Sequence, residues 1–224
     1  MNLLSIDVGI KNLALCLIEY KNENYTIKDW RVINLCGEKR ICSQITQKGP
    51  CKNIAKFIND GSTTCKRCLN KKGVVIVDCK PIKEINAKDI SLIDIGIAIK
   101  ENLEQYNTIF NLSLLSKVLI ENQISPIANR MKTIQGMIAQ FFIMKNLTSD
   151  NIEFVSATNK LKPFIGKKKT TYKERKLLSI SVTLDLIKDK NIWYDLFKKH
   201  NKKDDLADCF LQGLWFLKNK KYIK

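Results

Sequence analysis

Two short apolar runs, residues 3–7 (Leu-Leu-Ser-Ile-Asp) and 12–18, are joined by Val8-Gly9-Ile10-Lys11, a spacer with room only for a tight turn. Such a pattern dictates a strand, a glycine turn and a second strand returning antiparallel, and a third strand fits Lys28 to Leu35. Asp7 closes the first run, so its carboxylate falls at a strand end. Gly9 removes side-chain bulk where a phosphate or a metal would approach. An ordinary turn aspartate fits the same position.

Further along, Gly73 to Asp78 is a short β-like run, and Asp89 to Tyr106 places Ile90, Ile93, Ile97, Ile99 and Leu103 at helical spacing. Ser116 to Glu121 reads as a buried strand that ends on Glu121 and the pair Asn122-Gln123 before Pro126 blocks continuation. A second acid therefore sits at a strand terminus. Arg130 to Lys145 is a helix apolar over more of its circumference than one core face needs; a dimer surface and a helix buried on two sides explain it equally. Residues 152–156 form another strand. The basic stretch Lys160 to Lys176 follows, interrupted by Pro163 and Gly166, with Thr170 and Thr171 as cap or phosphate donors.

The last element opens with Asp204, Asp205 and Asp208 and continues as a strongly apolar helix. Asp205 and Asp208 are i,i+3 neighbours, so their Cβ atoms lie about 5–6 Å apart on one face and can share one cation. Capping of the helix start accounts for Asp204 but leaves Asp208 unexplained.

The 224 residues, 45% of them apolar, suffice for one main α/β domain with an insertion. The apolar runs are shorter than the roughly 18 residues of a membrane span, and no basic n-region precedes the first strand. The expected location is intracellular and reducing, in the cytoplasm, a viral factory or the nucleus, with no membrane association. A net charge of +17 favours a polyanionic partner, because docking on phosphates releases condensed counterions. A merely solubilising basic surface is the bland alternative.

Of eight cysteines, Cys42 and Cys51 flank a turn-rich loop, and Cys65-Lys-Arg-Cys68 supplies a tight pair. Together they make a tetrahedral all-thiolate set suited to structural Zn2+. Cys36 is a substitute ligand, and Cys16, Cys79 and Cys209 read as small core residues. The 36–73 segment is too polar to fold on its own apolar area, so metal would supply much of its folding free energy. It carries a net +7 before thiolates and metal are counted. DNA contact, dimerisation and stability are all open roles for it.

Asp7, Glu121, Asp205 and Asp208 are the residues a two-metal phosphodiesterase needs. Two divalent ions about 4 Å apart activate water and stabilise the leaving oxygen, and hard Mg2+ prefers carboxylate oxygen. His200, the single histidine, argues against a histidine-centred mechanism.

The motifs Ile-Asp7-Val-Gly-Ile-Lys-Asn, Leu-Ile-Glu121-Asn-Gln and Lys-Lys-Asp-Asp205-Leu-Ala-Asp208 resemble, in order, those of the RuvC-like Holliday junction resolvases of the ribonuclease H superfamily, closest to the poxvirus type. The resemblance implies a ribonuclease H-like mixed β-sheet flanked by helices (1–35 and 74–224), with the small zinc-binding insertion (36–73) as the departure from the family pattern. It further implies a homodimer that nicks four-way DNA junctions in symmetric pairs. Two Mg2+ per active site, replaceable by Mn2+, would be held by Asp7, Glu121, Asp205 and Asp208. Lys11, Lys160, Lys162, Lys167, Lys168, Lys169 and Lys173 are the expected DNA contacts. Rival readings are another ribonuclease H-like nuclease, an actin-like ATPase sharing the β-hairpin start, and a non-catalytic zinc-bearing DNA-binding protein.

Overall fold

The computed structural model describes residues 1–37, 40–71, 76–82, 89–123, 129–165 and 170–223. They form two compact units, Met1–Leu35 with Ser91–Lys224, and Cys36–Ile90; the 36–73 segment lies within the second.

In the first unit β1 (Asn2–Val8) pairs antiparallel with β2 (Asn12–Lys21), which pairs antiparallel with β3 (Asn24–Asn34). A Cβ added at Gly9 would meet the Asn12 carbonyl oxygen at 2.7 Å, so the turn itself requires glycine. The β2–β3 connection is the two-residue pair Asn22 (φ +50°) and Glu23 (φ +61°), both left-handed as the strand twist prefers in a tight hairpin. Both later strands start or end a few residues beyond the apolar runs, because backbone pairing continues past the buried side chains.

The second unit holds β4 (Ile45–Thr46), β5 (Gly49–Pro50), β6 (Phe57–Asn59), β7 (Ser62–Thr64), the single-turn α1 (Lys66–Leu69) and β8 (Lys80–Pro81). Of the strand expected at 73–78, residues 73–75 lie outside the described residues and 76–78 are not in a strand. Asp78 takes φ +43°, which breaks extended backbone, and pairing begins only at Lys80. The buried cluster of this unit is Cys42, Cys51, Cys65 and Cys68.

The first unit resumes with α2 (Leu92–Phe110), whose start is capped by Ser91 Oγ accepting from the Asp94 amide at 3.0 Å. Next come β9 (Lys117–Asn122), α3 (Asn129–Met144), β10 (Ile152–Ser156), α4 (Lys162–Ile165), α5 (Tyr172–Ile187), α6 (Asn191–Lys199) and α7 (Lys203–Asn219). Thr171 and Glu174 close a capping box on α5, the cap expected of that threonine. The main sheet runs β10-β9-β1-β2-β3, with β9 parallel to β1 and to β10. It is a mixed sheet flanked by helices, in the ribonuclease H-like manner.

Alternation decides which side chains meet which helix. Leu3, Ala14, Cys16, Ile18 and Leu119 cluster with Phe210, Leu211, Leu214 and Leu217 of α7 and with Ile187 and Phe197. The helix comes very close: a Cβ on Gly213 would lie 2.7 Å from Ile18 Cδ1 and 3.4 Å from Ser5 Cβ. Beside it, buried Gln212 Nε2 donates to Ser5 Oγ at 3.1 Å and to the Ile6 carbonyl at 3.2 Å. Burying an amide costs free energy unless it is bonded, and these contacts fix the helix in one register against β1.

On α3, Ile134, Ile138, Phe141 and Phe142 are buried within the chain, while Ile143 and Met144 are exposed. Cys16 and Cys209 are buried in the core as expected; Cys79 and Cys36 are only partly buried, and neither joins the cysteine cluster.

Candidate active site

On β1, Leu3 and Ser5 point at α7, so the two-residue period sends Asp7 to the same face. On β9 the same argument runs from Leu119 to Glu121. The parallel register pairs Ser5 with Leu119 and Ile6 with Ile120, so Asp7 and Glu121 come one step further along, side by side. Helix α7 starts over that end of the sheet and supplies Asp204, Asp205 and Asp208 from its first two turns.

Asp7, Glu121, Asp204, Asp205 and Asp208 line one cleft of about 860 Å³, with Lys160, Lys176 and Arg175 opposite them. The four acids separated in sequence therefore do converge. Burial, then the charge of Glu121, pushes the Asp7 carboxyl well above the usual carboxylate range. Glu121 is buried and accepts from Gln123 Nε2 at 2.9 Å. Lys160 Nζ donates to Glu121 Oε1 at 3.4 Å and to Asp208 Oδ2. Desolvation works against the Lys160 ammonium, but Asp208, Asp7 and Glu121 outweigh it and hold its pKa above the usual lysine value. Burial raises Asp208 and Asp205 as well, Asp205 with a further push from Asp204.

Asp205 Oδ2 accepts from Asn12 Nδ2 at 3.1 Å. Asp204 does not cap the helix: the N-cap is Lys202, with no side-chain cap bond, and Asp204 instead accepts from Lys176 Nζ at 2.7 Å. Burial acts to raise the Asp204 carboxyl, yet the Lys176 hydrogen bond holds it below the usual range.

The donor chemistry of the cleft suits a hard divalent cation. Its lining offers carboxylate oxygens and no histidine or cysteine, and it gathers five acids around the Lys160, Arg175 and Lys176 cations. His200 ends α6, where its Nδ1 accepts from the Lys202 amide at 2.9 Å, away from the lining. Among the described residues only the cysteine quartet brings three or more candidate ligand atoms all within 4.8 Å of one another.

Of the expected DNA contacts, Lys160 is turned inward onto the acids, a placement its position in a basic run does not reveal. Lys162 is exposed at the cleft, where it donates to Asn159 Oδ1 at 2.6 Å. Lys11 and Lys173 are exposed and outside the lining. Lys167, Lys168 and Lys169 lie outside the described residues. Asn12, Gln123, Ser179 and Lys176 join the site without having been singled out; the Asn and Gln beside the two strand-end acids were the available signal.

In the second unit the Sγ atoms of Cys42, Cys51, Cys65 and Cys68 form a buried group able to bind a metal. Cys51 Sγ lies 3.6 Å from Cys68 Sγ and 3.9 Å from Cys65 Sγ, far beyond a disulfide bond of about 2 Å. Burial pushes the Cys65 thiol up, but hydrogen bonds from the Cys68 amide and Asn53 bring it down to about 6.

Residues 69–220 match the family described as Poxvirus A22 protein, and residues 3–73 match that described as Mitochondrial resolvase Ydc2 / RNA splicing MRS1. Uncharacterized protein L451 of Acanthamoeba polyphaga mimivirus is 27% identical over 97% of this chain and 74% of its own length. In fold, the chain is similar to the Fowlpox virus resolvase solved with Holliday junction DNA (TM-score 0.55, 17% identity, 98% of this chain and 99% of that one). It is likewise similar to the yeast mitochondrial Holliday junction resolvase Ydc2 (TM-score 0.53, 16% identity, 98% of this chain and 79% of that one). The chain belongs to the Poxvirus A22 protein family, and its fold is the one these resolvase structures share.

Proposed function

We propose that the protein is a Mg2+-dependent endodeoxyribonuclease that resolves four-way DNA junctions by paired symmetric nicks, acting as a homodimer in a reducing intracellular compartment. The convergence of Asp7, Glu121, Asp205 and Asp208 in one cleft carries this reading. Asp7, Glu121 and Asp208 would hold the metal, with Asp205 beside them, set by Asn12. Once bound, Mg2+ supplies Lewis acidity at the scissile phosphate and a water activated near neutral pH.

The chain's own residues do the rest. Lys160 carries the countercharge of Glu121 and Asp208, so it competes with a divalent cation for the same oxygens. Lys176 takes Asp204 out of that competition by pairing with it. Gln123 orients the Glu121 carboxylate while its own amide N–H is held by Gln135 Oε1 at 2.8 Å. Lys162 and Arg175 flank the cleft as phosphate contacts. The Cys42, Cys51, Cys65 and Cys68 quartet would hold one structural Zn2+: four ligands at about 2.3 Å in a tetrahedron put the sulfurs about 3.8 Å apart, near the separations observed.

The test is incubation with a labelled immobile four-way junction and Mg2+, mapping nicks on opposing strands. Symmetric paired nicks in the native chain, lost in Asp208→Asn with junction binding retained, are expected. Full cutting by Asp208→Asn, or random degradation of single strands or RNA hybrids, overturns the reading.

A further inference from the structure

We infer that the Cys36–Ile90 unit is a metal-organised clamp for the phosphate backbone of duplex DNA, with Lys52, Lys66 and Arg67 as its contact residues. The inference rests on the Zn2+ reading of the cysteine quartet.

Lys66 and Arg67 are the two residues between Cys65 and Cys68, and Lys52 directly follows Cys51. Because the four sulfurs converge within 4.8 Å, these three backbone positions are gathered around one buried point although they are distant in sequence. All three side chains are exposed. Among the described residues none of them has an ion-pair or hydrogen-bond partner for its charge. Within the same unit Lys80, by contrast, is matched to Asp78. Unmatched cations on so small a unit repel one another and destabilise it, a cost that phosphates offset on binding.

Residues 36–90 carry twelve Lys or Arg against five Asp or Glu, and four thiolates with one Zn2+ leave that surplus largely intact. A polyanion of regular spacing fits such a surface without any base-specific group. DNA is favoured over an acidic protein because a surplus of exposed cations suffices to meet a regularly charged backbone, whereas a protein partner also needs a matched apolar core. Ile41, Ile45 and Ile54 are also exposed on the unit, and a protein seated there would leave DNA affinity untouched.

The experiment uses the full chain with Lys52→Ala, Lys66→Ala and Arg67→Ala combined, bound zinc being measured to confirm that the unit is folded. Affinity for a linear duplex and for a four-way junction is followed against salt. Each lost phosphate contact removes about 0.9 from the slope of log affinity on log salt, so a fall of about 2–3 is expected. Both DNAs should lose affinity by the same factor. An unaltered slope in the zinc-replete variant overturns the clamp, as does a loss confined to the junction. If the triple variant loses its metal, Lys52→Gln and Arg67→Gln singly, each expected to lower the slope by about 0.9, decide the question. Failure of the resolvase reading would show separately, as absence of cleavage by the native chain with the slope change intact.

Discussion

Asp7 and Glu121 stand side by side at the ends of the parallel strands β1 and β9, and burial, then the charge of Glu121, raises the Asp7 carboxyl well above the usual carboxylate range. Asp7 thus holds its proton more tightly than a free carboxyl does, a condition that a bound cation would reverse.

A raised carboxylate pKa has a defined sign in stability. The contribution of Asp7 is fully present below its unfolded value, about 3.9, and is lost as pH rises through its raised folded value. At neutral pH the metal-free protein therefore folds against this repulsion. Asp7→Asn should raise the metal-free melting temperature by roughly 2–4 °C per kcal/mol of repulsion relieved, and should flatten its fall with pH. Thermal melts in EDTA between pH 4 and 8 check this; an unchanged pH slope contradicts it.

Lys160 should matter in the opposite direction. It is largely buried between Glu121 and Asp208, so Lys160→Met leaves two buried acids without their counterion. Breaking such a pair by removing one partner costs about 3 kcal/mol. The loss should grow with pH, since the remaining acids must ionise, and added Mg2+ should raise the melting temperature of the variant more than that of the native chain. Calorimetry with and without Mg2+ reads both effects.

Zinc analysis should find about one ion per chain, and Cys65→Ser should lose most of it. Removing the metal should collapse amide-exchange protection in 36–90 while leaving β1, β9 and α7 protected, because the second unit's buried cluster is the quartet itself. Reducing agent alone should change nothing, as no cysteine is in a disulfide.

Gly213→Ala tests the close seat of α7. The new Cβ would press on Ile18 Cδ1, the end of a side chain that can shift only within a full core. Overpacking of this kind costs about 1–3 kcal/mol, measurable by urea unfolding. Because α7 carries Asp205 and Asp208, cleavage should fall beyond what lost stability explains.

Much was legible in the chain alone. Apolar runs located the β1–β2 hairpin and β9, and apolar spacing located α2, α3 and α7, because core-facing residues leave their pattern in the sequence. Acids at the ends of such runs marked the cleft, since a carboxylate beside a core needs a chemical reason. The cysteine quartet followed from ligand type and spacing. What only the tertiary structure decided is how these charges are partnered. The inward turn of Lys160, the pairing of Lys176 with Asp204 rather than a cap at Asp204, and the raised Asp7 carboxyl beside Glu121 all depend on groups brought together across the sheet. Periodicity records which face a residue occupies, whereas Coulomb interactions fall with distance in space and are blind to distance along the chain.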